Sequence, residues 1–362
     1  MNLANAITLL VVLNIIVIAH EFGHFFWARR FGTKVHEFSV GFGPLLSKHV
    51  RDGIQYSLRA VPLGGFVKIS GMDIALEGQE DEEAAVAPEE RFSALPLLKK
   101  IIVIIAGSVN NLAIGVILLI IVAAFVGIPY EAEMDRAIAH IVLPKSPAYE
   151  AGLSPGDQIL AIDGKTIKNW DEMVGIIYKS PNKPLVFTIS RKGRVFTRRI
   201  TPIYDPKAKI GLIGIHAPYK TKRLPLGEAF VFGFQRSWEL LYGNTVALLR
   251  IITGKERANL MGPFGMIGYV GQARETGPDY FLQVCATISL FLGFFNLLPI
   301  PLPLLDGGWV VIFLLERLRR KEFSPEQKSI AQMVGLGLLL LLFIFVTYSD
   351  IGSDVQRLFH LP

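Results

Sequence analysis

The chain has little cysteine and little charge. Cys285 is the single cysteine among 362 residues, so neither an intrachain disulfide nor a four-cysteine zinc site is possible. Charged residues make up 19% of the chain, whereas soluble domains have about 25%. Hydrophobic residues reach 51%, and the mean hydropathy is +0.43. This composition predicts an integral membrane protein and excludes disorder and collagen-like repeats.

The net charge of +6 does not predict a nucleic-acid partner. No basic run in the sequence is interleaved with aromatic residues as in recognisable binding modules, so we expect no nucleic acid to bind. In a membrane protein, lysine and arginine also set the topology and contact anionic headgroups. We therefore expect the basic residues to set the topology and to contact the headgroups of the lipid bilayer.

Four segments are apolar and long enough to span a membrane, because each has an uncharged stretch of at least about 18 residues. The predicted segments are the first helix at 1–30, the second at 101–130, the third helix together with the motif that contains Asp306 at 279–316, and the fourth helix at 330–348. The first lacks a basic region at its start and has Arg29 and Arg30 after it, unlike a cleaved signal peptide. We therefore predict an α-helical membrane protein with about four transmembrane helices, the first of which stays in the mature protein.

Basic residues in the short loops predict the orientation of these spans. They are Arg29, Arg30, Lys34, Lys99, Lys100, Arg317, Arg319, Arg320 and Lys321. The loops that carry them, 31–100 and 317–329, are therefore expected in the cytoplasm. Both termini, including the tail 349–362, and the segment between the second and third spans are expected outside. In a bacterium the membrane would be the inner, cytoplasmic one.

The first cytoplasmic loop contains strand-like and acidic segments. Residues 35–72 read as short strands with glycine-rich turns, and residues 77–90 are acidic and alanine-rich, which is typical of a linker. The strands form either a small cytoplasmic sheet or a membrane-associated β-hairpin beside the first helix. A hairpin in lipid would need protein around it, because unpaired backbone groups are costly there.

The outside segment divides into a part that resembles a soluble domain, 131–205, and a connector, 206–278. The connector contains a helix-like stretch at 230–252. Polar residues interrupt this stretch, so we place the helix at the membrane surface or between the domain and the third span.

The first span ends in the motif HEFGH, residues 20–24. On a helix, His20 and His24 lie one turn apart on one face, so both imidazoles reach one metal ion, with Glu21 beside them as a base. Ionisable residues within an apolar span are costly and are functional candidates by default. The alternative is a proton relay or a polar contact between helices. We favour a zinc site because the spacing matches a specific metal geometry.

Catalytic zinc requires a third protein ligand and an open position. His36 and His49 fall beyond the span in strand-like sequence, which makes them poor candidates. Asp306 is a lone carboxylate at membrane level, and the prolines of the preceding run PIPLP break the helix and leave backbone to line a polar cavity. Alone, Asp306 is equally well an ordinary acidic residue at the end of the third span. Paired with HEFGH, it is predicted to be a ligand.

HEFGH together with NLLPIPLPLLDGG, residues 296–308, resembles the site-2 protease family of intramembrane zinc metalloproteases. The bacterial branch of the regulator-of-sigma-E protease type is similar also in VGFGP, PLGGFVKI and AGSVNN, the last at residues 106–111. The chain departs from this family at Ser108, where a proline is usual. It also has room for one outside domain where many relatives carry two.

The resemblance implies the roles of particular residues. His20, His24 and Asp306 would be ligands of Zn²⁺, Glu21 the catalytic base, and Asn296 a substrate contact in the active site. These roles come from matching the family motifs and are expectations for this chain.

The run SPAYEAGLSPGDQILAIDGKTI, residues 146–167, resembles a PDZ domain of the protease-associated type. This implies one extracytoplasmic PDZ-like α+β domain. Such folds bind an extended chain along a sheet edge, so the C-termini of substrates are possible ligands. Alternatively the domain only packs over the active site. Either role would screen substrates by the bulk of their outside domains.

The family resemblance implies a protease that cleaves the transmembrane segments of single-span membrane proteins, usually after a first cut outside. Anti-sigma factors and remnant signal peptides are the implied substrates, and a pro-protein in sporulation is a rival. The non-proteolytic alternatives are a zinc transporter and a PDZ-based scaffold. A transporter would need ionisable groups in successive spans, and residues 330–348 have none.

Overall fold

The computed structural model describes residues 3–72, 85–206, 208–255, 262–301 and 303–359. Residues 77–84 of the predicted acidic linker and 360–362 of the predicted tail lie outside the described residues. Three helices are long and apolar enough to cross a membrane, namely Leu3–Arg30, Leu97–Val126 and Pro278–Asn296. The fourth predicted span falls within the helix Pro325–Phe359 and stays a prediction.

Long apolar helices alternate along the chain with small antiparallel sheets. The helices are α1 Leu3–Arg30, α2 Leu97–Ile121, α3 Pro147–Glu150, α4 Trp170–Tyr178, α5 Leu226–Ile252, α6 Pro263–Thr276, α7 Pro278–Asn296, α8 Asp306–Arg319 and α9 Pro325–Phe359. The strands are β1 Val35–Arg51, β2 Ile54–Ile69, β3 Ile128–Ala132, β4 Ile138–Ala139, β5 Ile141–Val142, β6 Asp157–Ile162, β7 Lys165–Thr166, β8 Leu185–Arg191, β9 Arg194–Ile200, β10 Ile203–Asp205, β11 Ile210–Leu212, β12 Ile215–His216 and β13 Tyr219–Lys222. A π-helical turn, Val122–Val126, extends α2.

The second span, α2, packs against both α1 and α7. A Cβ atom at Gly23 of α1 would lie 2.4 Å from the Ala106 carbonyl oxygen, and one at Gly293 of α7 would lie 2.7 Å from the Ser108 carbonyl oxygen. Glycine therefore lets both neighbours approach the α2 backbone closely, as small residues do between membrane helices. The middle of α2 is held between the other two spans by this packing.

The predicted strand region forms a long hairpin of β1 and β2 that packs beside α1. Residues 37–40 of β1 pair with both 55–58 and 65–68 of β2, so the hairpin folds back on itself. Residues 65–67 pair with β1 on one side and, among the described residues, with no strand on the other. Phe25, Ile69 and Ile104 share one buried cluster, which joins the hairpin to α1 and α2.

The segment between α2 and α5 contains a separate α+β domain. Its main sheet has the order β4-β6-β8-β9, with β7 paired to β6. Phe187, Ile159 and Met173 are fully buried in its core, where α4 covers the sheet. Asn169 caps α4 by accepting a hydrogen bond from the Glu172 amide at 2.9 Å, which satisfies a donor of the first helical turn.

The connector helix α5 packs along α2 and also contacts α7. Its buried residues, Ala229, Gly233 and Ser237, recur every four positions and form a stripe of small side chains. A Cβ atom at Gly233 would lie 2.4 Å from a side-chain carbon of Ile120, so the two helices are in direct contact. The small-residue spacing, rather than the interrupting charges, decides where this helix lies.

The third span ends earlier than the sequence predicts. Helix α7 stops at Asn296, and α8 begins at Asp306, so Asp306 opens a new helix and does not close the span. The intervening prolines lack the backbone N–H that would continue α7. The prediction that Asp306 closes the third span is therefore wrong, whereas the predicted break of the helix at the prolines is present.

The α+β domain is attached directly to α6 and α7. The Gln272 amide of α6 donates a hydrogen bond to the Val142 carbonyl oxygen, and the Tyr219 hydroxyl donates to Asp279 of α7 at 2.9 Å. The ring of His140 packs edge-on against Tyr219, and burial lowers the pKa of His140. These contacts connect the domain to the helix that ends at Asn296.

Candidate metal centre

Two histidines extend from α1 into the helix bundle. His20 and His24 are 7% and 6% exposed, and their Nε2 atoms lie 3.1 Å apart. Because α1 is continuous through both positions, residues i and i+4 share one face of the helix. The motif HEFGH therefore produces this pair locally.

The carboxylate of Asp306 reaches both histidines. Its Oδ2 lies 3.5 Å from His20 Nε2, and its Oδ1 lies 3.6 Å from His24 Nε2. Each of the three side chains offers one ligand atom, and these atoms all lie within 4.8 Å of one another. The break between α7 and α8 thus places Asp306, from the motif NLLPIPLPLLDGG, beside the two histidines of the motif HEFGH.

The donor set fits zinc. Imidazole nitrogens and carboxylate oxygens are common ligands of catalytic zinc. With bonds of about 2.0–2.1 Å, two ligands of a tetrahedral ion lie about 3.3–3.4 Å apart. The two Nε2 atoms lie 3.1 Å apart, and Asp306 approaches His20 through Oδ2 at 3.5 Å and His24 through Oδ1 at 3.6 Å, all close to this separation. With a single ligand atom from each residue, the three atoms lie within 4.8 Å of one another. Three protein ligands also leave the fourth tetrahedral position open, as a catalytic site requires.

The middle of α2 contributes contacts to this centre that the sequence reasoning missed. The Nδ1 atom of His24 lies 2.8 Å from the Val103 carbonyl oxygen, and Ser108 Oγ donates to Asp306 Oδ2 at 2.6 Å. A Cβ atom at Gly107 would lie 2.4 Å from His24 Nε2, so only glycine leaves room for the imidazole there. The available signal was the polar sequence SVNN within an otherwise apolar span.

A cavity of about 340 Å³ adjoins the centre. All five predicted site residues line it, namely His20, Glu21, His24, Asn296 and Asp306. Val67 and Ile69 of β2 also line the cavity, so a strand of the hairpin lies beside the metal ligands. His36 and His49, which the sequence made poor candidates for the third ligand, lie on β1. Neither lines the cavity, and neither belongs to the metal-binding group found among the described residues.

A larger cavity, of about 830 Å³, lies between the α+β domain and the helices. Trp170 and Met173 of α4 line it together with β12, while Arg236 of α5 and Tyr280 of α7 face it from the other side. We call this cavity the groove; Leu212 of β11 also lines it. None of the residues that form the metal group lines it.

Comparisons with known proteins found a matching family, similar curated proteins and a similar solved domain. The model of a family described as peptidase family M50 matches residues 8–342. The chain is 30% identical to the "Probable protease eep" of Enterococcus faecalis, over 98% of this chain and 99% of that one. It is 26% identical to the "Regulator of sigma-W protease RasP" of Bacillus subtilis, over 98% of each chain. The crystal structure of a PDZ domain from an SdrC-like protein of Listeria innocua matches 24% of this chain and 97% of its own length, with 24% identity and a TM-score of 0.22.

Proposed function

Because this chain belongs to peptidase family M50 and is a zinc metalloprotease of the membrane, we propose that it cleaves transmembrane segments of single-span membrane proteins. The observation that carries the proposal is the position of the metal group. His20 and His24 lie on a helix apolar enough to span the membrane, and Asp306 joins them from the far end of the chain. A hydrolytic centre at this level acts on peptide bonds that lie within the bilayer.

His20, His24 and Asp306 are the proposed ligands of zinc. A zinc ion held there would supply Lewis-acid chemistry, since it acidifies water and polarises a carbonyl group. Glu21 is the proposed base: its carboxylate takes a proton from the attacking water and then delivers it to the leaving amine. Its place in the cavity beside the ligands supports this role.

A substrate helix must unwind before it is cut, because its carbonyl groups are hydrogen-bonded within the helix. The freed backbone groups then need new partners. We assign this task to the 65–67 edge of β2, whose Val67 lines the cavity, and to Asn296, whose side chain lies at the end of α7 in the same cavity. The substrate would pair with the strand by β-augmentation.

Replacing Val67 with proline tests the strand contact. Proline removes a backbone donor and obstructs pairing along an edge. We expect kcat/KM for a transmembrane substrate to fall by about tenfold, since a backbone hydrogen bond is worth about 0.5–1.5 kcal/mol. Val50→Pro is the matched control, because Val50 lies in the same hairpin but is 61% exposed and does not line the cavity. Equal cleavage rates for Val67→Pro and the wild type would contradict the strand contact.

The substrates that we propose are anti-sigma factors and remnant signal peptides, cleaved after a first cut outside. A relative named as a regulator of sigma-W supports the first class. The outside domain is the proposed PDZ-like unit. It would face the periplasm or the cell exterior, as would both termini, and the enzyme would reside in the bacterial inner membrane. Its 830 Å³ groove would accept the C-terminus of a trimmed substrate, or the domain would act only by excluding bulky ones.

Metal removal tests the proposed function as a whole. The purified protein is reconstituted with a single-span substrate and treated with a divalent-metal chelator, and fragments are measured by mass spectrometry. We expect cleavage within the transmembrane segment to fall to background and to return with one equivalent of zinc, because the proposed chemistry requires the ion. A zinc transporter or a scaffold would produce no fragments under either condition, and that result would overturn the proposal.

A further inference from the structure

His24 and His20 have different neighbours at Nδ1, the ring nitrogen that does not face the metal centre. His24 Nδ1 lies 2.8 Å from the Val103 carbonyl oxygen, which can only accept a hydrogen bond. His24 Nδ1 therefore carries the proton, and its Nε2 presents a lone pair to the centre. His20 Nδ1 instead faces the side chain of Asn111, whose Nδ2 lies 3.3 Å away.

Asn111 is fully buried, and its Oδ1 has no hydrogen-bond partner among the described residues. In that orientation the amide donates to His20 Nδ1, which would place the ring proton on Nε2, the atom that faces Asp306 and His24. The two ends of an amide have almost the same shape, so a half-turn about its terminal bond exchanges oxygen and nitrogen. After the half-turn, Oδ1 accepts the proton of His20 Nδ1, and Nε2 is free to bind a metal.

Ser108 lies three residues before Asn111, on the same face of α2. Its hydroxyl is fully buried and donates to Asp306 Oδ2 at 2.6 Å. A proline at this position, as the family resemblance would lead one to expect, has no such donor. Helix α7 also contacts the backbone at Asn111, because Ser289 Oγ of α7 donates a hydrogen bond to the Asn111 carbonyl oxygen at 2.8 Å.

We infer that Asn111 and Ser108 are positioning residues of the metal centre: the Asn111 amide oxygen selects the tautomer of His20, and the Ser108 hydroxyl orients the carboxylate of Asp306. This inference rests on the proposed function, since it assumes that these side chains bind zinc. Outer partners of this kind fix ligand tautomers and orientations, and their loss typically costs about 10–100-fold in metal affinity. Helix α2 thus organises ligands that come from α1 and α8.

The test measures zinc affinity of the full-length protein in detergent by competition with a chromophoric chelator. In Asn111→Asp, a carboxylate oxygen can still accept a hydrogen bond from His20 Nδ1, but the side chain cannot donate one. In Asn111→Leu, the side chain has a similar volume but can neither accept nor donate a hydrogen bond. We expect Asn111→Asp to stay within about threefold of the wild type and Asn111→Leu to lose about 10–100-fold. Ser108→Ala should lose about tenfold, at the low end of the same range.

Asn110→Leu is the matched control, because Asn110 is the preceding residue on α2 and its amide bonds the Ala19 carbonyl oxygen instead of a ring nitrogen. Its zinc affinity should change by less than about threefold, below the range for outer partners of metal ligands. The visible spectrum of the cobalt-substituted protein gives a second readout, which should change for Asn111→Leu and not for Asn110→Leu. If Asn111→Leu does not fold, Asn111→Ala replaces it in both measurements.

The outcomes separate the inference from the proposed function. A wild-type protein that binds no zinc would overturn the proposed function and the inference with it. A wild type that binds zinc tightly, with Asn111→Asp losing as much affinity as Asn111→Leu, would overturn the inference alone, because the amide would then act as a donor or as packing. Unchanged affinity in Asn111→Leu would overturn it as well.

Discussion

Replacing Glu21 with glutamine is expected to abolish cleavage while zinc stays bound. Glutamine has the shape of glutamate but cannot take a proton from water, and general acid–base catalysis contributes about 10²–10⁴-fold to rates. The rate on a reconstituted transmembrane substrate should therefore fall by at least about 10²-fold. Glu21 lines the cavity but is absent from the group of metal-binding side chains, so zinc content should remain at the wild-type level.

The measurement needs both zinc content and cleavage rate from the same preparation. Glu228→Gln is the matched control, because Glu228 is an exposed residue in the first turn of α5 and lines neither the cavity at the metal centre nor the groove. The control should retain both properties. Cleavage by Glu21→Gln at the wild-type rate would contradict the role of base, and loss of zinc from this variant would instead indicate that Glu21 is a ligand.

Replacing Gly107 with alanine is expected to destroy the metal centre. The added Cβ atom would lie 2.4 Å from His24 Nε2 and 2.8 Å from His20 Nε2, closer than real Cβ contacts allow. Since α2 is packed against α1 and α7, it has little freedom to move away, and the imidazoles must turn out of position. We expect zinc affinity to fall by at least about 100-fold, the upper end of the loss seen when partners outside the ligand set are changed.

Replacing a glycine outside the metal centre with alanine should leave zinc affinity unchanged. Gly243→Ala is the matched control, since Gly243 is also helical, on α5, and a Cβ atom there would meet nothing within 4 Å. Alanine favours helices over glycine, so this variant should be as stable as the wild type or slightly more stable. Zinc affinity is measured by chelator competition and folding by thermal unfolding. A Gly107→Ala protein that binds zinc like the wild type would show that the histidines do not use this face of α2.

The motifs predicted the family and the chemistry well. Membership of the site-2 protease type, protease activity and zinc were predicted from HEFGH and from NLLPIPLPLLDGG, and the match to peptidase family M50 and the zinc metalloproteases among its relatives confirm them. The assignment of individual ligands, of Glu21 as base and of Asn296 as a substrate contact stays a prediction. The structure places all five residues in one cavity.

Several features could not be predicted because they depend on packing partners far away in sequence. The polar residues of α5 predicted a helix at the membrane surface or between the domain and the third span. Its packing on α2 through Ala229, Gly233 and Ser237 was not predicted. Asp306 was expected to end a span, yet it begins α8, because the preceding prolines stop α7 at Asn296. The metal contacts of α2 went unnoticed, since a serine and two asparagines have no motif spacing of their own.

The sequence by itself determined the membrane character of the chain and the pairing of His20 with His24. Both depend on local physics, namely the apolarity of each segment and the 3.6-residue period of a helix. Only the tertiary structure decided that Asp306 meets these histidines, that β2 borders their cavity, and that Gly107, Ser108 and Asn111 surround the ligands. These contacts join segments that are distant in the chain, and they arise because glycines let α1 and α7 pack closely on α2, which local sequence patterns do not encode.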